Sequence, residues 1–223
     1  MNHGPFRFIH AGDFHLERPP CGLADVPEHL RDVLCDAPFD AARRVFDLAI
    51  AEKVDFVVLT GDLVEPRLGG PRAAAFLVEQ FERMAAANIA VYWAASRLDA
   101  AIRWPKPLPL PESVHVFPSG GVTEWIHERG GVPLVCIRGI SRPQKGRVPV
   151  AAFRSESRGL PTIAAAHGRV HREQLAKQEV DYLALGGLHA RRTISGSPRT
   201  AHYAGTPQGR SPEEPGAHGC TLV

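Results

Sequence analysis

The chain has 223 residues, 44% of them hydrophobic and 22% charged, which excludes a disordered polymer and leaves length enough for one large domain with a sizeable core. No apolar run approaches the roughly 18 residues that span a bilayer, and the opening Met1-Asn2-His3-Gly4-Pro5 has neither the basic region nor the apolar core of a signal peptide, so a cytoplasmic protein with no membrane partner is expected. The net charge of +2 is unevenly divided: residues 1–130 hold 13 Lys+Arg against 18 Asp+Glu, and residues 131–223 hold 13 against 6.

In chain order, Phe6 to Ala11 reads as a short buried strand running into Gly12-Asp13-Phe14-His15. A Pro/Gly-rich loop follows (Pro19, Pro20, Gly22, Pro27). The spacing of Ala42, Val45, Phe46, Ala49 and Ile50 then predicts a helix from about Phe39 to Lys53 that packs on a sheet. Val54 to Thr60 is a second strand, ending on Gly61-Asp62. A second helix is expected from Pro71 to Ala87, with Pro in its first turn, Asn88 as its stop and Ala74, Leu77, Phe81 and Met84 buried. Ile89 to Ala95 is a third strand, and the loop after it, Ser96-Arg97-Leu98-Asp99, offers one carboxylate and no histidine. The prolines of Trp104 to Pro111 remove amide donors and impose extended geometry, so this segment reads as a surface excursion. Further strands are expected near Val114 to Phe117, Val122 to Ile126 and Val132 to Ile140. An Arg/Pro/Gly loop leads to Pro161 to Ala166, a strand ending at His167, then to a short helix around His171 to Gln178. Val180 to Leu185 is the last long strand and runs into Gly186-Gly187-Leu188-His189. The ending Gly219 to Val223 looks like the start of a strand: either the natural chain continues past Val223 or this strand pairs at a sheet edge.

The four cysteines, Cys21, Cys35, Cys136 and Cys220, form no C-x-x-C pair, so they read as reduced thiols, several of them buried, and not as a zinc ribbon. The basic half concentrates Arg138, Arg142, Lys145, Arg147, Arg154 and Arg158 in one stretch, with Arg169, Arg172, Arg191 and Arg192 around the later histidines. That asymmetry suits a polyanionic partner such as DNA, with a solvated basic face as the alternative.

In open α/β sheets ligands bind outside the carboxyl ends of the strands. Four strands here end on residues that can ligate a metal: Asp13 and His15, Asp62, His167, and His189. Singly each motif is weak, since Asp caps turns and a lone histidine is usually a satisfied core residue. Their order and shared position point to one metal site.

Asp-x-His, Gly-Asp, His and Gly-x-x-His in this order resemble the signature series of the calcineurin-like metallophosphoesterases, and in particular their DNA-repair exonuclease branch, the SbcD-type nuclease subunits. The resemblance is carried by Phe8 to Leu16, Asp55 to Leu63, His167 to Val170, Asp181 to Gly186 and Tyr203 to Arg210, and it covers nearly the whole chain. It implies an α/β fold, a four-layer sandwich of two mixed β-sheets flanked by helices, as a single domain over 1–223 without the cap domain usual in such nucleases. It also implies divalent metal, most often Mn with Fe or Zn as alternatives, acting on phosphoesters by binding the phosphate and activating water. Carried over by position, Asp13, His15, Asp62 and His189 match the first metal's ligands, and Asp62 and His167 match part of the second set. The family's Gly-Asn-His-Asp is replaced by Ser96-Arg97-Leu98-Asp99, so an asparagine ligand becomes Arg97 and the catalytic histidine becomes Leu98. Its Gly-His-x-His is replaced by Gly186-Gly187-Leu188-His189, which removes another second-metal ligand. One ion rather than two is therefore expected, no catalytic acid is assigned, and Arg97 is a candidate for the substrate phosphate. The function expected is phosphodiester hydrolysis in DNA with weakened or rearranged catalysis. Alternatives are an inactive relative that binds metal, DNA or a partner, and a small-molecule phosphatase or phosphodiesterase. Partners implied by the resemblance are an SbcC-type ATPase and a second copy of the chain.

Overall fold

The structure, a computed structural model, describes residues 4–18, 20–22, 25–65, 70–99, 104–154 and 159–223. Met1 to His3, Pro19 and Arg158, used in reading the sequence, lie outside the described residues. Strands β1 (Phe8–Ala11), β2 (Phe56–Leu59), β3 (Ala90–Trp93) and β4 (Val114–Val116) run parallel to one another in the first sheet. Strand β11 (Thr221–Leu222) pairs antiparallel with β1 at the edge of that sheet. The second sheet has the order β5-β6-β7-β8-β10-β9, built from β5 (Thr123–Arg129), β6 (Val132–Ile140), β7 (Thr162–His167), β8 (Tyr182–Gly186), β9 (Arg192–Ser195) and β10 (Thr200–Tyr203). Its outer pairs, β5 with β6 and β9 with β10, are antiparallel, and its interior is parallel. Both sheets are thus mixed.

Side chains on a strand alternate between faces, and β2 divides accordingly. Phe56 and Val58 face the second sheet, where Phe8, Tyr92, Phe117, Ile137, Ile163 and Ala184 also lie. Val57 and Leu59 face α1 (Glu28–Ala51) and α2 (Gly70–Ala86), whose Phe46, Ala49, Leu77, Phe81 and Met84 are buried. The outer face of the second sheet is covered by a 3₁₀ turn at Val150–Phe153 and by the short helix α3 (Arg172–Leu175), with Val148, Val150 and Phe153 buried against Leu183 and Leu185. The four layers are helices, sheet, sheet and short helical turns. Complete burial of residues such as Phe46 and Phe81 contributes about 1.5–3 kcal/mol each.

Helix α1 starts eleven residues before the predicted Phe39. Residues 28–37 carry almost no buried face, and the continuous apolar stripe begins at Pro38 and Phe39. The early turns are held instead from outside: Arg72 of α2 lies over the Phe39 ring at 4.2 Å and pairs with Asp36. The thiols divide differently from the expectation, since Cys136 is buried, Cys220 half-buried, and Cys21 and Cys35 exposed. Among the described residues no helix is long and apolar enough to cross a membrane.

Candidate metal centre

The carboxyl ends of β1 and β2 point toward those of β7 and β8, and the sheets approach each other closely there. A Cβ on Gly186 would fall 2.0 Å from the Thr60 carbonyl oxygen, so only glycine lets the end of β8 pass the end of β2. Beyond the strand ends the two loops of the first sheet hydrogen-bond as a pair: Asp13 N–H to the Gly61 carbonyl (2.8 Å), His15 N–H to Asp62 (3.0 Å) and Leu16 N–H to Leu63 (3.1 Å). Within this ladder Asp13, His15 and Asp62 all adopt left-handed backbone, with φ of 54°, 48° and 52°. Three non-glycine residues in that region are sterically costly, and such conformations cluster at ligand sites.

The result is one constellation. Ligand atoms of Asp13, His15 and His189 lie within 4.8 Å of one another, as do those of Asp13, Asp62 and His167. Asp62 Oδ2 is 4.0 Å from His15 Nε2 and 3.5 Å from His167 Nε2. All five residues matched by position thus meet. One detail differs from the expected assignment: the carboxylate common to both three-residue groups is Asp13, while Asp62 sits between the two histidines.

The surroundings set each group's protonation. Burial pushes the Asp13 carboxyl up to about 6, against the opposing pull of His167 and the Gly187 N–H, which donates to both its oxygens at 3.1 and 2.9 Å. Burial, with the nearby Arg210 guanidinium, takes the His15 imidazole down to about 3, so it is neutral at ordinary pH. Both His15 ring nitrogens are buried without a hydrogen-bond partner among the described residues. A neutral imidazole with an orphaned nitrogen is costly unless it ligates something, and a neutral imidazole is the metal-binding form. Burial also draws His167 down, but Asp62, Asp13 and the Thr60 carbonyl outweigh it and the net shift is upward. The His167 Nδ1–H donates to that carbonyl at 2.9 Å, which leaves Nε2 directed at Asp62. A backbone carbonyl fixing the tautomer is the usual support of a ligating histidine.

The supporting residues include Glu214, not singled out from the sequence, and members of the stretch Tyr203 to Arg210, which carries part of the resemblance but is assigned no role by it. His189 Nδ1 lies 2.6 Å from Glu214 Oε1 and 3.0 Å from Arg210 Nη2. The shorter, charge-assisted contact takes the ring proton, so Glu214 orients His189 and leaves the lone pair on its Nε2, while Arg210 Nη2 lies alongside the ring, 3.4 Å from that nitrogen. Burial would raise the Glu214 carboxyl, but the Arg210 N–H and His189 outweigh it and hold it below the usual range. Thr206 donates its hydroxyl proton to the Asp13 carbonyl (2.8 Å), and Tyr203 donates to that of Gly168 (3.0 Å). The stretch from Tyr203 to Glu214 therefore fastens the Asp13, Gly168 and His189 loops together. Within the sequence, nothing local connects Arg210 or Glu214 to His189.

The loop after β3 differs from a ligand loop. The Asp99 carboxylate is fully buried and accepts from Ser96 N–H (2.7 Å), Ser96 Oγ (2.6 Å) and Leu63 N–H (2.9 Å), so it braces this loop against that of Asp62 and offers nothing to a cation. Burial raises its pKa, opposed by the Ser96 bonds. Arg97 is exposed and Leu98 half-buried. Both line a cleft whose wall also includes Asp62 and His167. Gly187 has φ +93°, and a Cβ there would sit 3.1 Å from His167 Nε2.

Comparison with known proteins agrees with this geometry. The chain is 30% identical over 230 residues to an uncharacterized metallophosphoesterase, YhaO, of Bacillus subtilis strain 168, an alignment taking in 97% of this chain and 56% of that protein. It thus spans little more than half the length of that curated relative. Its fold is similar to the crystal structure of a dimetal phosphatase from Danio rerio, with a TM-score of 0.57 over 97% of this chain and 91% of the other at 10% identity, a likeness of fold alone. The model of the calcineurin-like phosphoesterases matches residues 6–191, a span that holds Asp13, His15, Asp62, His167 and His189. With that match laid over a two-sheet sandwich whose strand ends gather carboxylates and imidazoles, the chain belongs to the calcineurin-like phosphoesterase family.

Proposed function

We propose that this protein hydrolyses phosphodiester bonds in DNA at a centre holding one divalent cation through Asp13, His15, Asp62 and His189, with His167 beside it. The observation that carries the reading is the convergence of Asp13, His15 and His189 around two buried, unpartnered imidazole nitrogens. Mixed carboxylate and imidazole donors favour Mn, with Fe or Zn as alternatives. When bound, the cation supplies Lewis-acid polarisation of a phosphoryl oxygen and neutralises charge that develops in the displacement.

The chain's own residues do the rest. Glu214 and the Thr60 carbonyl hold His189 and His167 in single tautomers. The Gly187 N–H steadies the Asp13 carboxylate. Arg97, which lines the adjoining cleft, is the residue assigned in this reading to a substrate phosphate oxygen. Leu98 cannot donate a proton, and general acid catalysis is typically worth about 10²–10⁴ in rate, so turnover below that of two-metal relatives is part of the reading. Arg97, Leu98 and Gly187 in the positions of a ligand, the catalytic histidine and another ligand favour a second reading, a relative that takes up metal without turnover. DNA as partner is supported by the basic second half of the chain. Association with an SbcC-type ATPase or a second copy rests on the family resemblance.

Metal content together with a Mn-dependent nuclease assay tests the proposal. Hydrolysis that disappears with Asp62→Ala is expected. Metal-loaded protein that leaves DNA intact supports the second reading, and failure to take up Mn, Fe or Zn overturns both.

A further inference from the structure

The cleft beside Asp62 and His167 has a volume of about 760 Å³ and brings together four cationic side chains, Arg18, Arg97, Arg142 and Lys145. Arg18 is compensated by Glu17 at 3.6 Å and Glu65 at 3.4 Å. Arg97, Arg142 and Lys145 have no carboxylate within ion-pairing distance among the described residues. Three uncompensated cations in one concavity repel each other, and no packing gain offsets that, since all three are exposed. Their arrangement therefore needs another reason.

The backbone that carries two of them is held in place. Arg142 and Lys145 both have φ of 52°, a left-handed conformation that costs about 1–2 kcal/mol per residue for side chains of this kind. The strap is pinned at both ends: Arg142 N–H donates to the Ala95 carbonyl (2.8 Å), Ser141 Oγ accepts from Ala95 N–H (2.8 Å), and the Gly146 carbonyl accepts from Arg169 N–H (2.8 Å). Two cations are thus presented from a loop after β6, while Arg97 is presented from the loop after β3. Because these cations come from two separate loops that line one cleft, successive phosphates of a chain can engage both.

The geometry points to a cradle for the phosphodiester backbone of single-stranded nucleic acid, with Arg97, Arg142 and Lys145 contacting phosphates that adjoin the reacting one. This inference rests on the phosphodiester reading above for its choice of ligand. The single strand is inferred from access: the Asp62 and His167 side chains, which line the cleft, are each only 16% exposed. A flexible single strand reaches such little-exposed groups more readily than the stiff, convex surface of a duplex. Binding through phosphate contacts depends on salt, with a slope of log K against log salt of roughly −0.7 per contact for single strands.

The test is fluorescence anisotropy of a labelled oligothymidylate with metal-free protein in chelator, over a range of salt. Arg142→Asn and Lys145→Asn are the variants, because asparagine tolerates left-handed backbone. The double variant is expected to weaken binding and to flatten the slope by about 1.4, while Arg44→Gln on the solvent face of α1 leaves it unchanged. Inorganic phosphate is expected to compete far more weakly than unlabelled oligonucleotide, and a blunt duplex of equal length to bind less tightly than the single strand. An unchanged slope in the double variant, no binding by the parent protein at low salt, or preference for the duplex overturns the cradle. The assay needs neither metal nor turnover. Binding that behaves as expected without hydrolysis sinks the enzymatic reading alone, and hydrolysis with an unchanged slope sinks the cradle alone.

Discussion

Replacing Asp13 by Asn should make the metal-free protein more stable, even though it destroys the site. The carboxyl is fully buried, and burial raises its pKa from an ordinary 3.8 to about 6. Because the folded pKa lies above the unfolded one, the folded state is penalised for carrying the charge at all pH values above about 6, and the penalty fades as pH falls toward 3.8. A shift of about two units corresponds to about 3 kcal/mol. This is an upper bound, since Asp13 also helps His167 keep its proton. Asn has nearly the same shape and its carbonyl oxygen still accepts from the Gly187 N–H, so the neutral side chain keeps most of the packing. For a chain of this size the gain is about 6–12 °C in melting temperature at pH 8 in chelator, shrinking to nothing near pH 4. With Mn at about 1,000 times its dissociation constant the order reverses, because the parent gains about 4.1 kcal/mol from binding and the variant does not. Denaturation at pH 8 and pH 4, with and without Mn, checks both halves. A metal-free Asp13→Asn protein less stable than its parent at pH 8 would show that the carboxylate is held by net attraction, and would refute the reasoning.

Glu214→Gln should lower metal affinity about 10- to 100-fold with little effect on fold, since Glu214 acts by orienting His189; metal titration by calorimetry reads this directly. Gly187→His, which nominally restores a family ligand, should destabilise the protein by about 1–3 kcal/mol and leave metal content at one ion per chain, because φ of +93° and the contact with His167 exclude a side chain there. Metal analysis showing two ions in that variant would contradict this account. His10 is fully buried between the sheets, its Nδ1 3.0 Å from the Tyr182 hydroxyl, and burial takes its pKa down to about 3. Since the unfolded chain takes up a proton below about 6.5 that the folded protein refuses, His10 should cost stability as pH falls from 6.5 toward 3, by up to about 1.4 kcal/mol per pH unit. His10→Gln should flatten that acid limb in urea titrations at pH 6.5, 5.5 and 4.5, and an unaltered limb would assign the acid sensitivity elsewhere.

The parts of the fold readable from sequence are those in which neighbours along the chain share a face. β6 occupies the predicted Val132 to Ile140, and α2 buries Ala74, Leu77, Phe81 and Met84 as its periodicity demanded. The first turns of α1 went unread because their exposed residues carry no apolar stripe, and the partners that hold them, Arg72 and its neighbours, belong to another helix. Strands β9 and β10 were not assigned at all. Their sequences, Arg192–Ser195 and Thr200–Tyr203, are short and polar on one side, and pairing of β10 with β8 and of β9 with β10, rather than intrinsic pattern, makes them strands.

By itself the amino-acid order determined which residues stand at strand ends, and so named Asp13, His15, Asp62, His167 and His189, because a ligand just past a buried strand is a local feature. Only the tertiary structure decided that Asp13 is the carboxylate common to both clusters, that Asp99 is a brace, that Glu214 and Arg210 attend His189, and that Arg142 and Lys145 share a cleft with Arg97. Those relations join residues from separate loops. Their distances are set by how two twisted sheets meet at Gly186 and Thr60, a packing relation between segments more than a hundred residues apart that no local pattern encodes.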